Sequence, residues 1–408
     1  RKLAPGAVVR VKEVNGKKPQ WRLVQLHEVE AALFAVNPKN GAITALVGGF
    51  DFNRNKFNRV TQAWRQPGSS FKPFIYSAAL EKGYTPATII DDAPLALTAE
   101  ETGGEAWEPK NYDGRYAGPM TLRESLARSK NMVAIRLLEQ ITPEYARDYL
   151  TRFGFDGARN PAYLTLALGA GAATPWEMAA GYAVFANGGY RIEPYIVKEI
   201  YDGNGRLIAR TDPPVAGQSA PRVIDARNAW LMDSMMRDVV QSGTATRARS
   251  LKRTDLAGKT GTTNDYVDAW FCGYHPELVA VAWVGHSQPR NLGRGETGGA
   301  AALPIWINYM ASALEGVPET QLPRPNGLIL VDNGLGTRQD FHYAEYAPPE
   351  PPAAPDWLQQ MFAADTSPAM EAPSEAIPPA PPARLPPLPP PAQAPAPVVD
   401  RMPTPIGR

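Results

Sequence analysis

The stretch "RQPGSSFKPFIYSAALEKG", Arg65 to Gly83, sets a serine, Ser69, and a lysine, Lys72, three residues apart where an apolar helical pattern begins. Phe71, Phe74, Ile75, Ala78 and Ala79 recur at helical spacing, and Gly83 suits the position just past a helix end. Pro73 is tolerated in a first turn, where the backbone N–H has no intrahelical partner anyway. The pattern predicts a helix with Ser69 at its N-terminus, where free N–H groups and the positive dipole end favour an oxyanion. Lys72, at i+3, shares the face of Ser69. A lysine with an ordinary pKa of ~10.4 is neutral in only about one molecule in 2,500 at pH 7. To take a serine proton it needs burial or a second cation nearby; otherwise it is a solvated charge on a helix end.

A second cation is available in "LAGKTGTTND", where Lys259 stands in a strand-like segment followed by Thr260, Gly261 and Thr262. A glycine on an edge strand is expected to let a substrate backbone approach closely. Between these two stretches, "LARSKNMVAI" holds Ser129 and Asn131. The patterns SxxK, SxN and K-[ST]-G each occur once, in that chain order. One SxxK is expected by chance in a chain of this length, but an ordered triple is not.

Composition sets the outer bounds. The 408 residues, 44% hydrophobic, suffice for one large or two modest domains with a sizeable core. The 42 basic residues nearly cancel the 41 acidic ones, so charge balance points to no nucleic acid. One cysteine, Cys272, excludes an internal disulfide, and the four histidines show no metal-ligand spacing, so neither metal nor cofactor is expected. No run of ~20 apolar residues marks a membrane span. The start at Arg1, without methionine or signal pattern, suggests a piece of something longer, with any anchor or export signal upstream.

Working outward from Ser69, residues 7–27 read as a β-hairpin around "NGKKP", too small to fold alone. "AALFAVNPKNGAITALVGG" reads as a second hairpin with buried strands. Helical periods dominate from Ser69 to about Asn187. Strands return beyond Gly258 in "DAWFCGY" and "ELVAVAWVGH". Strands at both ends with helices between imply an α+β domain whose terminal segments share one antiparallel sheet. From Pro348 to Arg408, 20 of the 42 prolines fall in 61 residues, which predicts a polyproline II or coil tail.

The ordered triple matches the three elements of serine-based penicillin-recognising enzymes. The chain resembles the transpeptidase domain of class A penicillin-binding proteins over roughly residues 28 to 325. Beyond the triple, "WEPKNYDGRYAGPMTLRESLARSKN", "LALGAGAATPWEMAAGYAVFANGG", "SGTATRARS" and "AWVGHSQPRNLG" carry the likeness. The resemblance implies a penicillin-binding protein/serine β-lactamase-like fold, an antiparallel sheet flanked by helices with an all-helical subdomain. It also implies a peptidoglycan D,D-transpeptidase. Ser69 would attack a stem-pentapeptide carbonyl, Lys72 would accept its proton, and Ser129 would relay a proton to the leaving amine. Asn131 would hold Lys72 and a substrate amide. Lys259 and Thr260 would bind the substrate carboxylate in the K-T-G segment completed by Gly261, and the Ser69 and Thr262 N–H groups would form the oxyanion hole. The implied partners are lipid II-derived glycan strands and, as covalent inhibitors, β-lactams. The implied location is the periplasmic side of the inner membrane, with a glycosyltransferase domain and membrane anchor expected upstream. Residues 1–27 would be the last strands of a small, OB-like β domain, and 326–347 a connector.

Three readings of the same residues stand side by side: acyl transfer to an amine, acyl transfer to water as in a D,D-carboxypeptidase or β-lactamase, and a non-enzymatic penicillin-sensing scaffold. Trp107, Tyr112 and Tyr116 read as loop anchors ahead of groove-lining residues. Glu177 reads as structural ahead of a deacylating carboxylate. Arg247 in "SGTATRA" is either a peptide contact or part of a capping turn, and Cys272 reads as a buried small hydrophobe. For the tail, an envelope partner would find its best short anchor in "PDWLQQMF".

Overall fold

The turn at Asn37–Gly41 folds the second apolar stretch back on itself, pairing Val29–Val36 (β3) with Ile43–Val47 (β4). This computed structural model describes residues 6–14, 20–24, 28–99, 105–332 and 339–346. The expectations for the Pro-rich tail lie outside them. Ala257–Thr262 (β9), Asp268–His275 (β10) and Leu278–His286 (β11) complete a five-stranded antiparallel sheet in the order β4-β3-β11-β10-β9. The N-terminal hairpin thus joins the C-terminal strands through β3 and β11, as the strand–helix–strand pattern predicts. Every residue of β10 and β11 is buried, which is why these strands read as unbroken apolar runs rather than alternating ones.

Helices cover both faces. In chain order they are α1 (Arg59–Gln62), α2 (Lys72–Glu81), α3 (Leu122–Arg128), α4 (Asn131–Ile141), α5 (Pro143–Leu150), α6 (Pro175–Ala186), α7 (Ala226–Gln241) and α8 (Leu303–Ala313). α6 packs across β3, β11 and β10, and α7 across β9. On the opposite face Trp306 of α8 lies edge-on to Phe271, and its Nε1 donates to the Gly273 and Ala280 carbonyls.

The sequence suggests that α2 has one apolar face. The structure buries it from Lys72 to Leu80 on every side. Phe71 and Phe74 meet Phe153, Phe155, Tyr182 and Phe185 at ring-centroid separations of 4.8–5.5 Å. A helix enclosed by its own domain carries apolar residues all round, so periodicity alone understates its burial. α3, α4 and α5 form the helical region beside it, and the junction of α3 and α4 carries Ser129 and Asn131.

Smaller two-stranded sheets accompany this core. β5 (Ile89–Asp92) pairs with β6 (Gly118–Thr121), and β7 (Glu199–Tyr201) with β8 (Leu207–Arg210). The stretch 326–347, expected as a connector, instead contains the hairpin of β12 (Leu328–Asp332) and β13 (Gln339–Tyr343). Asp340 of β13 makes a two-point buried ion pair with Arg123 of α3, so tertiary charge pairing holds the hairpin. The first hairpin, β1 (Arg10–Val14) and β2 (Gln20–Val24), exposes every residue of both strands. Among the described residues no helix is long and apolar enough to cross a membrane.

Candidate active site

Ser69 does not begin the α-helix. It lies in a 3-10 turn, Gly68–Phe71, that runs straight into α2, so Lys72 is the first α-helical residue. Residues three apart eclipse in a 3-10 turn, which keeps Ser69 and Lys72 on one side. The turn is fixed from several directions. Arg65, just before it, is ion-paired to Asp268 of β10 at 2.7 Å. Tyr182 of α6 donates to the Ser70 carbonyl, and Ser70 Oγ donates to the Pro67 carbonyl, both at 2.6 Å. Gly68 adopts φ +55°, and a Cβ there would stand 2.7 Å from the Thr262 carbonyl oxygen. Only glycine allows β9 to lie this close to Ser69.

Alternation along β9 sorts the K-T-G residues. Lys259 and Gly261 point toward the Ser69 turn and α2, while Thr260 and Thr262 point the other way. A Cβ on Gly261 would meet the Pro67 carbonyl oxygen at 2.4 Å and Ser70 Oγ at 2.8 Å. The space expected for substrate on that side is filled by the protein's own chain, so Gly261 seats the turn against the strand. Thr263 N donates to the Asp268 carbonyl, and by antiparallel alternation the Thr260 and Thr262 backbone groups face the free edge.

Lys72 is fully buried, and its Nζ donates to the Ser129 carbonyl at 2.8 Å, the Lys130 carbonyl at 3.0 Å and Asn131 Oδ1 at 2.7 Å. Burial, then the Lys259 ammonium, hold its pKa well below the usual lysine range; Asp92 opposes them and Lys130 adds a smaller lowering. The second cation that the sequence required is therefore in place. Donating to all three oxygens takes the three hydrogens of the ammonium, so accepting a proton requires Nζ to be neutral, with one of the three oxygens left without a hydrogen.

Lys259 is also fully buried, and burial lowers its pKa to about 7. Its Nζ donates to Ser129 Oγ at 2.7 Å and to the Thr260 carbonyl at 3.2 Å. The ammonium is aimed at Ser129, which lines the groove. Ser129 is the residue after α3, in the left-handed conformation at φ 59°. That bend presents its carbonyl to Lys72 and its hydroxyl to Lys259. Asn131 Nδ2 donates to the Lys110 carbonyl, leaving its second hydrogen available.

Ser69, Ser129, Asn131, Thr260 and Thr262 line one groove of about 840 Å3. Trp107 and Tyr112, expected as loop anchors, line it as well, whereas Tyr116 does not. Tyr112 meets Tyr266, on the segment after β9, edge to face at 6.2 Å. Thr244 also lines the groove, with its Oγ1 2.7 Å from Thr260 Oγ1, while Arg247 donates to the Gly299 carbonyl. Glu177 reciprocally caps α6 with Thr174, and Cys272 is buried opposite Lys259 in the β9–β10 ladder. Sequence reading passed over Asp92, Asn111, Asp113 and Lys130, whose contacts brace Asn131. "PKNYDG" and the middle residue of "SKN" carried a signal, but nothing in the sequence marked Asp92. Among the described residues no cluster of His, Cys, Asp or Glu could hold a metal ion.

The family profile described as "Penicillin binding protein transpeptidase domain" matches residues 31–310. The chain is 50% identical over 324 residues to penicillin-binding protein 1A of Neisseria lactamica, covering 79% of this chain and 40% of that protein. It therefore spans well under half of the length of that relative. The crystal structure of penicillin-binding protein 1A from Haemophilus influenzae superposes with a TM-score of 0.77 at 39% identity, over 81% of this chain and 55% of that one. PonA1 from Mycobacterium tuberculosis, solved in complex with penicillin V, gives a TM-score of 0.64 at 26% identity, over 79% and 85% of the two chains.

Proposed function

Because this chain belongs to the penicillin-binding protein transpeptidase family, we propose that it is a serine D,D-transpeptidase that cross-links peptidoglycan stem peptides. The observation that carries the reading is the buried pair of lysines, Lys72 and Lys259, converging from two elements on Ser129 beneath a groove that Ser69 lines.

In this reading Ser69 Oγ attacks the penultimate D-alanine carbonyl of a stem pentapeptide. The hydroxyl proton passes to Lys72, which acts as the neutral amine with its lone pair turned from one of the three oxygens to Ser69 Oγ, and the C–O bond forms as the carbonyl becomes an oxyanion. The Ser69 and Thr262 N–H groups face that oxygen. Collapse of the intermediate breaks the C–N bond, with the leaving amine protonated through Ser129 and resupplied from Lys259, whose pKa of about 7 suits proton transfer in either direction. The terminal D-alanine departs; the amine of a neighbouring stem peptide then attacks the acyl-enzyme, its proton passing through Ser129 to Lys259 as the new C–N bond forms, and the ester C–O bond breaks as Ser69 Oγ takes back the proton held by Lys72. Thr260 and Thr262 hydroxyls are the groups in the groove suited to the substrate carboxylate. β-Lactams would acylate the same serine, in keeping with PonA1 having been solved with penicillin V. The working place of such an enzyme is the periplasmic side of the inner membrane, beside a glycosyltransferase that makes the strands.

Transfer to an amine is favoured over transfer to water by the position of Glu177, which is engaged in capping α6. The test is incubation with a labelled β-lactam and location of the adduct by mass spectrometry. A stable adduct on Ser69, absent in Ser69→Ala, supports the reading, and label elsewhere or none refutes it. Cross-linked dimers from lipid-linked pentapeptide, supplied with a glycosyltransferase, separate transpeptidation from hydrolysis.

A further inference from the structure

Asp92, at the end of β5, is completely buried and sits outside the SxxK, SxN and K-T-G elements. Its Oδ1 accepts from Asn111 Nδ2 at 2.7 Å, and its Oδ2 accepts from Ala117 N at 3.0 Å and faces Lys130 Nζ at 3.2 Å. Each of these partners leads toward the reaction centre. Asn111 Oδ1 accepts from Asn131 N at 2.8 Å, so one carboxamide joins Asp92 to the start of α4. Lys130 is the residue between Ser129 and Asn131, and its ammonium also reaches Asp113 and the Arg115 carbonyl. The same loop supplies Trp107, Asn111, Tyr112 and Asp113 to the groove wall. Burying a carboxylate is costly unless donors satisfy it, and the donors here tie the Asn111–Ala117 loop to Lys130, which lies between Ser129 and Asn131.

We infer that Asp92 is a positioning residue for acylation, fixing Asn131 through Asn111 and setting the electrostatic field at Lys72 through its own charge and that of Lys130. The inference rests on the proposed acyl-enzyme. Lys72 is faced by Lys259 from β9, Lys130 from the α3–α4 junction and Asp92 from β5. Asp92 is the carboxylate among them, and it counters the lowering that burial and the two lysines impose. Removing its charge therefore favours neutral Lys72 at lower pH, even as Lys130 loses a partner that holds the junction.

The experiment measures second-order acylation by a fluorescent penicillin from pH 5.5 to 9 on wild type, Asp92→Asn, Asp92→Glu and Asn111→Ala, with melting curves for each. Asp92→Asn is expected to acylate roughly tenfold more slowly or worse, the scale set by small misplacements of catalytic groups. The acid limb of its pH–rate profile is expected at lower pH. Asp92→Glu should keep the wild-type limb. Asn111→Ala breaks the tether without changing charge, so its rate should fall with the limb unmoved, and it decides the tether even if Asp92→Asn does not fold. Variants that acylate within about twofold of wild type, or that lose rate in step with melting temperature while no limb moves, would overturn the inference. Failure of wild type itself to label on Ser69 would bring down the acyl-enzyme reading together with it, a result distinct from failure of the variants alone.

Discussion

Lys259 Nζ and Ser129 Oγ lie 2.7 Å apart although 130 residues separate them in the chain. The bond unites the second and third elements of the ordered triple. Burial makes this lysine useful, because it lowers the pKa to about 7 and brings it into the range where a proton moves readily at neutral pH.

Replacing Lys259 by methionine should therefore separate function from stability. Acylation of Ser69 is expected to fall by about a hundredfold or more, the scale of a lost proton-transfer group. Folding lowers this lysine from an ordinary ~10.4 to about 7, so below pH 7 the folded state alone bears the cost of a buried ammonium. That cost fades as pH rises from 7 toward 10, because the folded lysine becomes neutral while the unfolded one stays charged. The melting-temperature advantage of Lys259→Met over wild type should be largest at pH 6 and shrink by pH 9. An advantage that grows with pH would contradict the argument.

Gly261→Ala tests the seating of the Ser69 turn. The added methyl would lie 2.4 Å from the Pro67 carbonyl oxygen, so either β9 or the turn must shift. Overpacking of this kind costs about 1–3 kcal/mol, and here the displaced element carries Ser69, the proposed nucleophile. Chemical denaturation should show that loss, and acylation of the folded fraction should fall as well. Unchanged acylation would show that the turn is not held by this contact.

Among the described residues, Asp340→Ala leaves the buried Arg123 guanidinium with Asp238 and Ser234 as side-chain partners. Loss of one member of a buried pair costs ~3–5 kcal/mol, while replacing both with apolar residues costs much less. Urea titration should find Arg123→Met/Asp340→Leu more stable than Asp340→Ala. Equal stability of the two would mean that the β12–β13 hairpin is held by its apolar contacts, such as Phe341 against Trp230.

Tyr112→Ala removes one partner of the Tyr112–Tyr266 contact at the groove. An aromatic pair contributes about 0.5–1.5 kcal/mol beyond its area, and a small β-lactam has little reach toward it. Labelling by a small penicillin should change by less than about threefold, whereas cross-linking of a long peptide substrate should drop roughly tenfold. Equal losses with both would assign Tyr112 to the reaction centre itself.

Much of this arrangement was legible in the chain. The sheet followed from apolar runs and turn residues at both ends, and the three elements of the ordered triple stood out by their order, because short patterns in "GSSFKP", "SKN" and "KTG" record local needs: a turn, a bend after a helix, a strand. Periodicity could not show that α2 is enclosed on all sides, since a fully buried helix loses the polar face that periodicity detects. Nor could it show that Gly261 makes room for Ser70 rather than for substrate, because a close approach leaves the same glycine whichever molecule approaches.

The sequence by itself determined the fold class and singled out the ordered triple of Ser69–Lys72, Ser129–Asn131 and Lys259–Gly261. Only the tertiary structure decided what each charge faces: Lys259 toward Ser129, Asp92 toward Lys130 and Asn111, and Arg123 toward Asp340. The physical reason is that a charge acquires its pKa and its role from burial and from neighbours a few ångströms away, and those neighbours come from segments up to 217 residues distant.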